Sequence, residues 1–246
     1  AQQKETTSAI PVILDTDVGN DIDDVLAMQM LLNYEKKEKI DLLGITISKC
    51  NPYSLEYIDA YCRFNDKYDI PLGYAYNGMN TDDGHYLRQT LDTIIDNNKI
   101  LHPKRSLKDH IPEGYKLLRK LLAEQGDHSV VFIALGPETN LARLLISEAD
   151  EYSELDGKAL VAQKVKLLSV MGGLYDNEFD FPEWNIVNDL NAAQITFKKW
   201  PTPIIASGWE LGNKIRYPHQ SILNDFADSY KHPLCVSYKI FQEMPY

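Results

Sequence analysis

Short apolar runs rich in β-branched residues alternate with segments of helical period from one end of the chain to the other. The runs at 12–14, 42–47, 71–74, 130–135, 165–171 and 203–206 read as buried strands, each followed by polar or turn residues. Between them, apolar positions recur at helical spacing over 24–32, 54–64, 113–123, 139–146 and 189–197, with a last helical stretch at 233–241. This alternation predicts an α/β fold, a mostly parallel central sheet with helices on both faces. No internal repeat, heptad or low-complexity tract interrupts it. Residues 77–111 depart from the rhythm. They are polar and weakly patterned, carry His85, His102 and His110, and include the turn-like Asp82-Asp83-Gly84. A segment of that length is read either as a lid or binding loop or as a disordered insertion.

Length and composition narrow the picture. The 246 residues are read as a flexible polar segment over 1–10 followed by a single α/β domain over 11–246. A hydrophobic fraction of 44% supports a sizeable core, and no run approaches a membrane span. The net charge of −11 argues against binding nucleic acid through its phosphates and favours a neutral or cationic ligand. Cys50, Cys62 and Cys235 form neither a CxxC pair nor a metal spacing, so no disulfide framework is implied. The opening Ala-Gln-Gln-Lys-Glu-Thr-Thr-Ser-Ala resembles the N-terminus left after removal of a signal peptide. On that feature an exported location is favoured over a cytoplasmic one.

The chemistry concentrates after the first strand. Asp15, Asp17, Asp21, Asp23 and Asp24 fall within the ten residues that follow the apolar Ile13-Leu14 and lead into the first helix. So many like charges repel one another unless a cation or proton neutralises them. An all-oxygen cluster suits a hard cation, Ca²⁺ or Mg²⁺, better than zinc or copper. Helix capping would account for Asp23 and Asp24 but not for Asp15 and Asp17 at a strand end. In parallel α/β sheets ligands bind beyond the carboxyl ends of the strands. Asp15 and Asp17, Asn51, Gly136-Pro137, and Gly172-Gly173 with the 177–185 loop all follow predicted strands. Four loops therefore converge on one rim.

At these residues the chain resembles the inosine–uridine-type nucleoside hydrolases. Asp15-Thr16-Asp17-Val18-Gly19, followed by Asp23-Asp24-Val25-Leu26-Ala27, is similar to the family's DTDPGxDDxxA opening. Ala134-Leu135-Gly136-Pro137-Glu138-Thr139-Asn140-Leu141-Ala142 is similar to xxGPLTNIA, and Gly44-Ile45-Thr46 with Asn51 to GITTVxGN. Met171-Gly172-Gly173, Asn177, Glu183-Trp184-Asn185 and Asn188-Asp189-Leu190-Asn191-Ala192-Ala193 follow MGG…N…EFN…DPEAA. The resemblance runs from about residue 11 to 206, and the combination of motifs is specific although each is weak alone. Val18 stands where the family has proline, and the acidic loop is longer, reading Gly19-Asn20-Asp21-Ile22-Asp23-Asp24. This longer form resembles a divergent branch of the superfamily, for which the founding members' nucleoside preference is not implied.

The resemblance implies a nucleoside-hydrolase-like fold and a calcium-dependent hydrolase of N-ribosidic bonds that uses a metal-bound water. It implies that Asp17 and Asp24 ligate Ca²⁺ with the Leu135 carbonyl, and that Asp17 also serves as general base. Asp23, Asn51, Asn177, Glu183 and Asn185 would hold the ribose, and Asp15 would support Asp17 from behind. The partner would be a nucleoside or related glycoside, with a homo-oligomer possible and neither nucleic acid nor membrane involved. Asn177 and Asn185 are also ordinary loop formers, and Glu183 could simply be exposed. Thr139 is expected to cap a helix, Trp184 to pack the rim, and Trp209-Glu210 and His85 are candidates for the leaving base. No counterpart of the family's last metal-ligating Asp appears by Tyr246, with Asp225 and Asp228 its only candidates. The chain as given is therefore expected to turn over weakly or not at all; the competing expectation is that the domain is truncated at its C-terminus and that a longer chain carrying the missing segment would be active. Two alternatives stand beside this reading. One is a metal-stabilised sugar- or nucleoside-binding protein without turnover. The other is a haloacid-dehalogenase-like phosphatase, disfavoured because Gly19 stands where that pattern wants Thr or Val.

Overall fold

The first apolar run becomes a strand, β1 (Ile10–Thr16), whose alternating side chains sort into two cores. Val12 and Leu14 pack on one side and Ile13 on the other, as the two-residue period of a strand requires. The computed structural model describes residues 9–243. Residues 1–8 of the polar segment expected over 1–10 lie outside the described residues, as do 244–246, and Ile10 already belongs to β1.

Six strands form the main sheet: β1, β2 (Ile40–Ile47), β3 (Leu72–Tyr74), β6 (Val130–Ala134), β7 (Val165–Met171) and β8 (Ile204–Ser207). Their order is β3-β2-β1-β6-β7-β8 and every neighbouring pair is parallel. All their carboxyl ends therefore open on the same rim. Two further short strands, β4 (Ile94–Ile95) and β5 (Asn98–Lys99), make a separate antiparallel hairpin. The helices are α1 (Asp23–Lys36), α2 (Pro52–Phe64), α3 (Leu87–Asp92), α4 (Gly114–Ala123), α5 (Thr139–Leu145) and α6 (Gly157–Lys164). They continue as α7 (Trp184–Asn188), α8 (Leu190–Lys199), α9 (Trp209–Lys214), α10 (His219–Asn224) and α11 (Pro233–Glu243).

Helices α1, α2, α3 and α11 cover one face and α4, α5, α6 and α8 the other. The second core is closed by Phe132 against Trp200, edge to face with ring centroids 5.8 Å apart. It is flanked by a bidentate Arg119–Asp150 pair at 2.6 and 3.0 Å. All three cysteines are free, and among the described residues no helix is long and apolar enough to cross a membrane.

Every predicted strand and helix has an observed counterpart. The 77–111 segment is more than a loop, since it carries α3 and the β4–β5 hairpin. Its apolar residues are too few and scattered to register as periodic, yet Leu87, Leu91 and Leu101 are buried in the first core. Thr139 is not a helix cap. It is the first residue of α5, and its hydroxyl donates to Asp189 Oδ2 at 2.8 Å, so tertiary packing outcompeted the local bond.

Candidate active site

Strand geometry places Asp15 inside the sheet and Asp17 just past the carboxyl end of β1. Asp15 pairs in register with Thr46 and Ala134, wholly buried between two parallel neighbours. Its Oδ2 accepts from Thr46 Oγ1 at 2.5 Å and Asn140 Nδ2 at 2.8 Å, while Oδ1 has no protein partner among the described residues. Burial pushes this carboxyl up to about 7, against the pull of those hydrogen bonds. Asp15 thus stands behind the site.

The acids in front of it line a cavity of about 430 Å³ at the carboxyl ends of β1, β6 and β7. One wall is Asp17, Asn20, Asp21, Asp23 and Asp24, joined by Asp82 and His85 from the 77–86 loop. The second wall, beyond the ends of β7 and β8, is Met171, Glu183, Trp184, Asn185 and Trp209, with Leu135 at the end of β6 between the two. Asp17 Oδ2 accepts from Asn80 Nδ2 at 2.8 Å, and Asp24 Oδ1 accepts the Thr16 hydroxyl. Gly136 approaches so closely that an added Cβ would lie 2.6 Å from Asp17 Cγ, which restricts that position to glycine.

Desolvation raises Asp17 to about 7; Lys49 opposes the rise, and Asp23, Asp15 and Asp82 add to it. Asp23 reaches the exposed mouth, yet the surrounding protein desolvates its carboxyl and Asp21 repels it, raising it to about 6. Asp24, buried beside Asp17 and Asp23, is pushed well above the ordinary carboxylate range. All three carboxylates are under electrostatic pressure to take up a proton or a cation.

This donor set, all oxygen, has the chemistry of a hard-cation site. Among the described residues, however, no three His, Cys, Asp or Glu side chains are arranged to hold a metal ion. The chain offers Asp17 and Asp24 as a buried pair, with Asp23 at the mouth. The Leu135 carbonyl, expected as a further ligand, lines the cavity and accepts from Asn185 Nδ2 at 2.8 Å. Asp225 and Asp228 are exposed and line other surface hollows, away from the acidic cavity.

The expected ribose-holding residues divide. Asp23, Glu183 and Asn185 line the cavity. Asn51 is buried one layer back, where its Oδ1 caps α2 at Tyr53 N and its Nδ2 donates to Asp83 Oδ1 at 2.8 Å. Asn177 is exposed in a turn and is not among the lining residues. Glu183 is far from exposed. It is buried and caps α7, taking Asn185 N at 2.9 Å, Gly173 N at 2.9 Å and Ile186 N at 3.1 Å. Trp209 lines the cavity, with Phe179 and Phe181 edge-on to it at 5.3 and 4.9 Å.

Sequence reasoning missed two buried charges. Lys49 is fully buried just past β2, in a salt bridge with Asp82 at 2.6 Å. A lone lysine two residues past an apolar strand was the available signal. Glu138 has both carboxyl oxygens buried and without a protein partner among the described residues. Burial, then Glu183, Asp15 and Asp189, raises it to about 8 against a backbone hydrogen bond. Its signal was the departure from leucine in the GPLTN segment.

The model of the inosine-uridine preferring nucleoside hydrolase family matches residues 12–244. Among curated proteins, the chain is similar to the pyrimidine-specific ribonucleoside hydrolase RihA of Enterobacter sp. (strain 638), at 27% identity over 212 residues. That match covers 84% of this chain and 62% of the relative's length. Among solved structures, the fold is similar to the plant nucleoside hydrolase PpNRh1 (TM-score 0.68, 20% identity, 94% of this chain and 70% of that one). It is also similar to the purine-preferring ribonucleoside hydrolase from Gardnerella vaginalis (TM-score 0.65, 17% identity, 94% and 71%). Since the family match takes in the strand-end acids and every loop that builds the cavity, the chain belongs to the inosine-uridine preferring nucleoside hydrolase family.

Proposed function

We propose that the acidic cavity hydrolyses the N-ribosidic bond of a ribonucleoside, giving free base and ribose. The observation that carries this reading is a pair of buried, mutually repelling carboxylates, Asp17 and Asp24, sharing one cavity with an aromatic wall. In the reaction a water oxygen bonds to C1′, the C1′–N bond breaks, and its electron pair leaves with the base. Asp17 takes the proton from the water, which requires its carboxylate form. Asp23, at the mouth, accepts a ribose hydroxyl, and Asn185 faces the sugar from the second wall. Glu183 keeps that wall in shape through its three backbone bonds while presenting its carboxylate to the ribose. Asn51 and Asn177 join the sugar contacts only after local rearrangement, since one is committed behind the cavity and the other lies outside it.

Calcium, held by Asp17, Asp24 and the Leu135 carbonyl, would offset the clustered charge, orient the ribose diol and acidify the attacking water. Trp209 and Trp184 supply apolar faces for the base, and His85, a lining residue of the same cavity, is the candidate donor of the proton the leaving base takes up. The relatives include both a pyrimidine-specific and a purine-preferring hydrolase, so the base class is assigned by assay. Ribose release from uridine and inosine, with and without a chelator, tests the proposal. No ribose from either nucleoside, with metal present, would overturn it.

A second reading is binding without turnover. The observation in its favour is that no three acidic or histidine side chains are arranged for a metal among the described residues. Calorimetric binding of uridine or inosine in the absence of ribose release would select it.

A further inference from the structure

One buried cation sits among these acids, and its bonds are ordered. Lys49 Nζ donates to Asn20 Oδ1 at 2.6 Å, Asn80 Oδ1 at 3.2 Å and Asp82 Oδ1 at 2.6 Å. Three donors meet three oxygens, which satisfies an ammonium with no exposure to water. An ammonium can only donate, so it sorts the two amides, drawing each Oδ1 inward and turning each Nδ2 away. Both outward Nδ2 groups point at Asp17 Oδ2, from Asn80 at 2.8 Å and from Asn20 at 3.5 Å. A flipped Asn80 would set an NH₂ against the ammonium and an oxygen against the carboxylate, repulsive at both ends.

The same lysine docks a loop. Asp82 Oδ1 also accepts from Gly84 N at 2.8 Å, and Asn80 O accepts from Cys50 N at 2.6 Å. His85 N donates to Gly19 O at 2.7 Å. Gly84 lies at φ +69°, and a Cβ there would come within 2.6 Å of Gly19 O, so the two backbones meet with no room for a side chain.

We infer that Lys49 is a positioning residue, the internal cation that through Asn80 fixes which oxygen of Asp17 is committed and with Asp82 holds the 80–85 segment against the cavity. The inference rests on the reading of Asp17 as a cation ligand. A lysine that merely diluted excess negative charge would behave in the opposite way, because its removal would tighten binding of an added cation.

Terbium(III) titrated into the 246-residue chain, with luminescence sensitised by Trp184 and Trp209 on the cavity wall, separates these cases. Lys49→Met and Asn80→Ala should each weaken terbium binding by roughly tenfold or more, in the range of lost supporting bonds around metal ligands. The double variant should be no weaker than the worse single one, because both act along one path. Binding that is unchanged or tighter in Lys49→Met, or losses that multiply, would overturn the inference. Should wild type take up no terbium, the cation reading fails by itself, and amide exchange decides the role of Lys49. Lys49→Met should then speed exchange at His85 by roughly tenfold with β1 and β6 unchanged, and equal rates would overturn it. If Lys49→Met does not fold, Asn80→Ala carries the terbium test, and wild-type affinity in that variant would be decisive against the relay.

Discussion

The two walls of the cavity are built on different principles. On the acidic wall, Asp17 and Asp24 line the cavity from buried positions, backed by the buried Lys49, Asn51 and Asn80, and each of these side chains makes hydrogen bonds that leave it little freedom. The second wall is looser. Glu183 and Asn185 are buried there, but Trp184 is 54% exposed, and Phe179, Phe181 and Trp209 touch through ring edges. Charges in a low-dielectric interior are costly unless fully partnered, so a wall made of them must be rigid. Aromatic faces attract over a range of geometries, so a wall made of them can adapt. In the proposed function the rigid wall carries the chemistry and the adaptable one the base.

The sharpest way to break this contrast is Asp17→Asn. It should lower the rate of ribose release from uridine or inosine by about 10²–10⁴-fold, the usual worth of a placed general base. Folding should be retained, because the amide still bonds to its neighbours. A rate within tenfold of wild type would remove Asp17 from the chemistry.

Glu138, buried beside Gly172 and Glu183 and outside the cavity lining, gives the next largest effect. Its carboxyl is raised from 4.5 to about 8 in the folded protein, mainly by burial. The folded state therefore holds this proton more tightly than the unfolded one. Its contribution is intact below pH 4.5 and is lost as pH rises through about 8. Glu138→Gln should leave stability near wild type at pH 5. At pH 8.5 it should stabilise by on the order of a few kcal/mol, or roughly 5–10 °C in melting temperature. Parallel melting curves at the two pH values, offset equally or not at all, would contradict the burial account.

Glu183 tests whether the looser wall has a fixed hinge. Sequence reading alone expects Glu183→Ala to weaken ligand binding without changing stability. The cap on α7 alters that expectation, and the variant should lose about 0.5–2 kcal/mol of stability as well as affinity for nucleoside. Loss of affinity with an unchanged melting temperature would return Glu183 to a purely ligand-facing role. The smallest effect belongs to Trp184→Ala, which should change stability by less than about 0.5 kcal/mol. Its effect on KM should exceed that on kcat, as befits uniform binding. A large loss in kcat would mean that the adaptable wall also takes part in the chemistry.

Much of this protein was legible from its residues alone. Period-two and period-3.6 patterns report which side of an element is buried, and they placed six strands of a parallel sheet and the acids at their ends. The spacing of Asp15, Asp17, Asp23 and Asp24, with Glu183 and Asn185 far along the chain, marked the rim before any contact was known. What the pattern does not encode is which partner a polar group takes. Asn51 and Glu183 read as sugar contacts, and the fold gives both of them backbone bonds that the pattern did not announce. Nothing in the periodic pattern singles out Lys49; its role appears only where Asn20, Asn80 and Asp82 surround it from two separate loops. Burial and hydrogen bonding are properties of neighbours distant in sequence, and only tertiary structure brings those neighbours together.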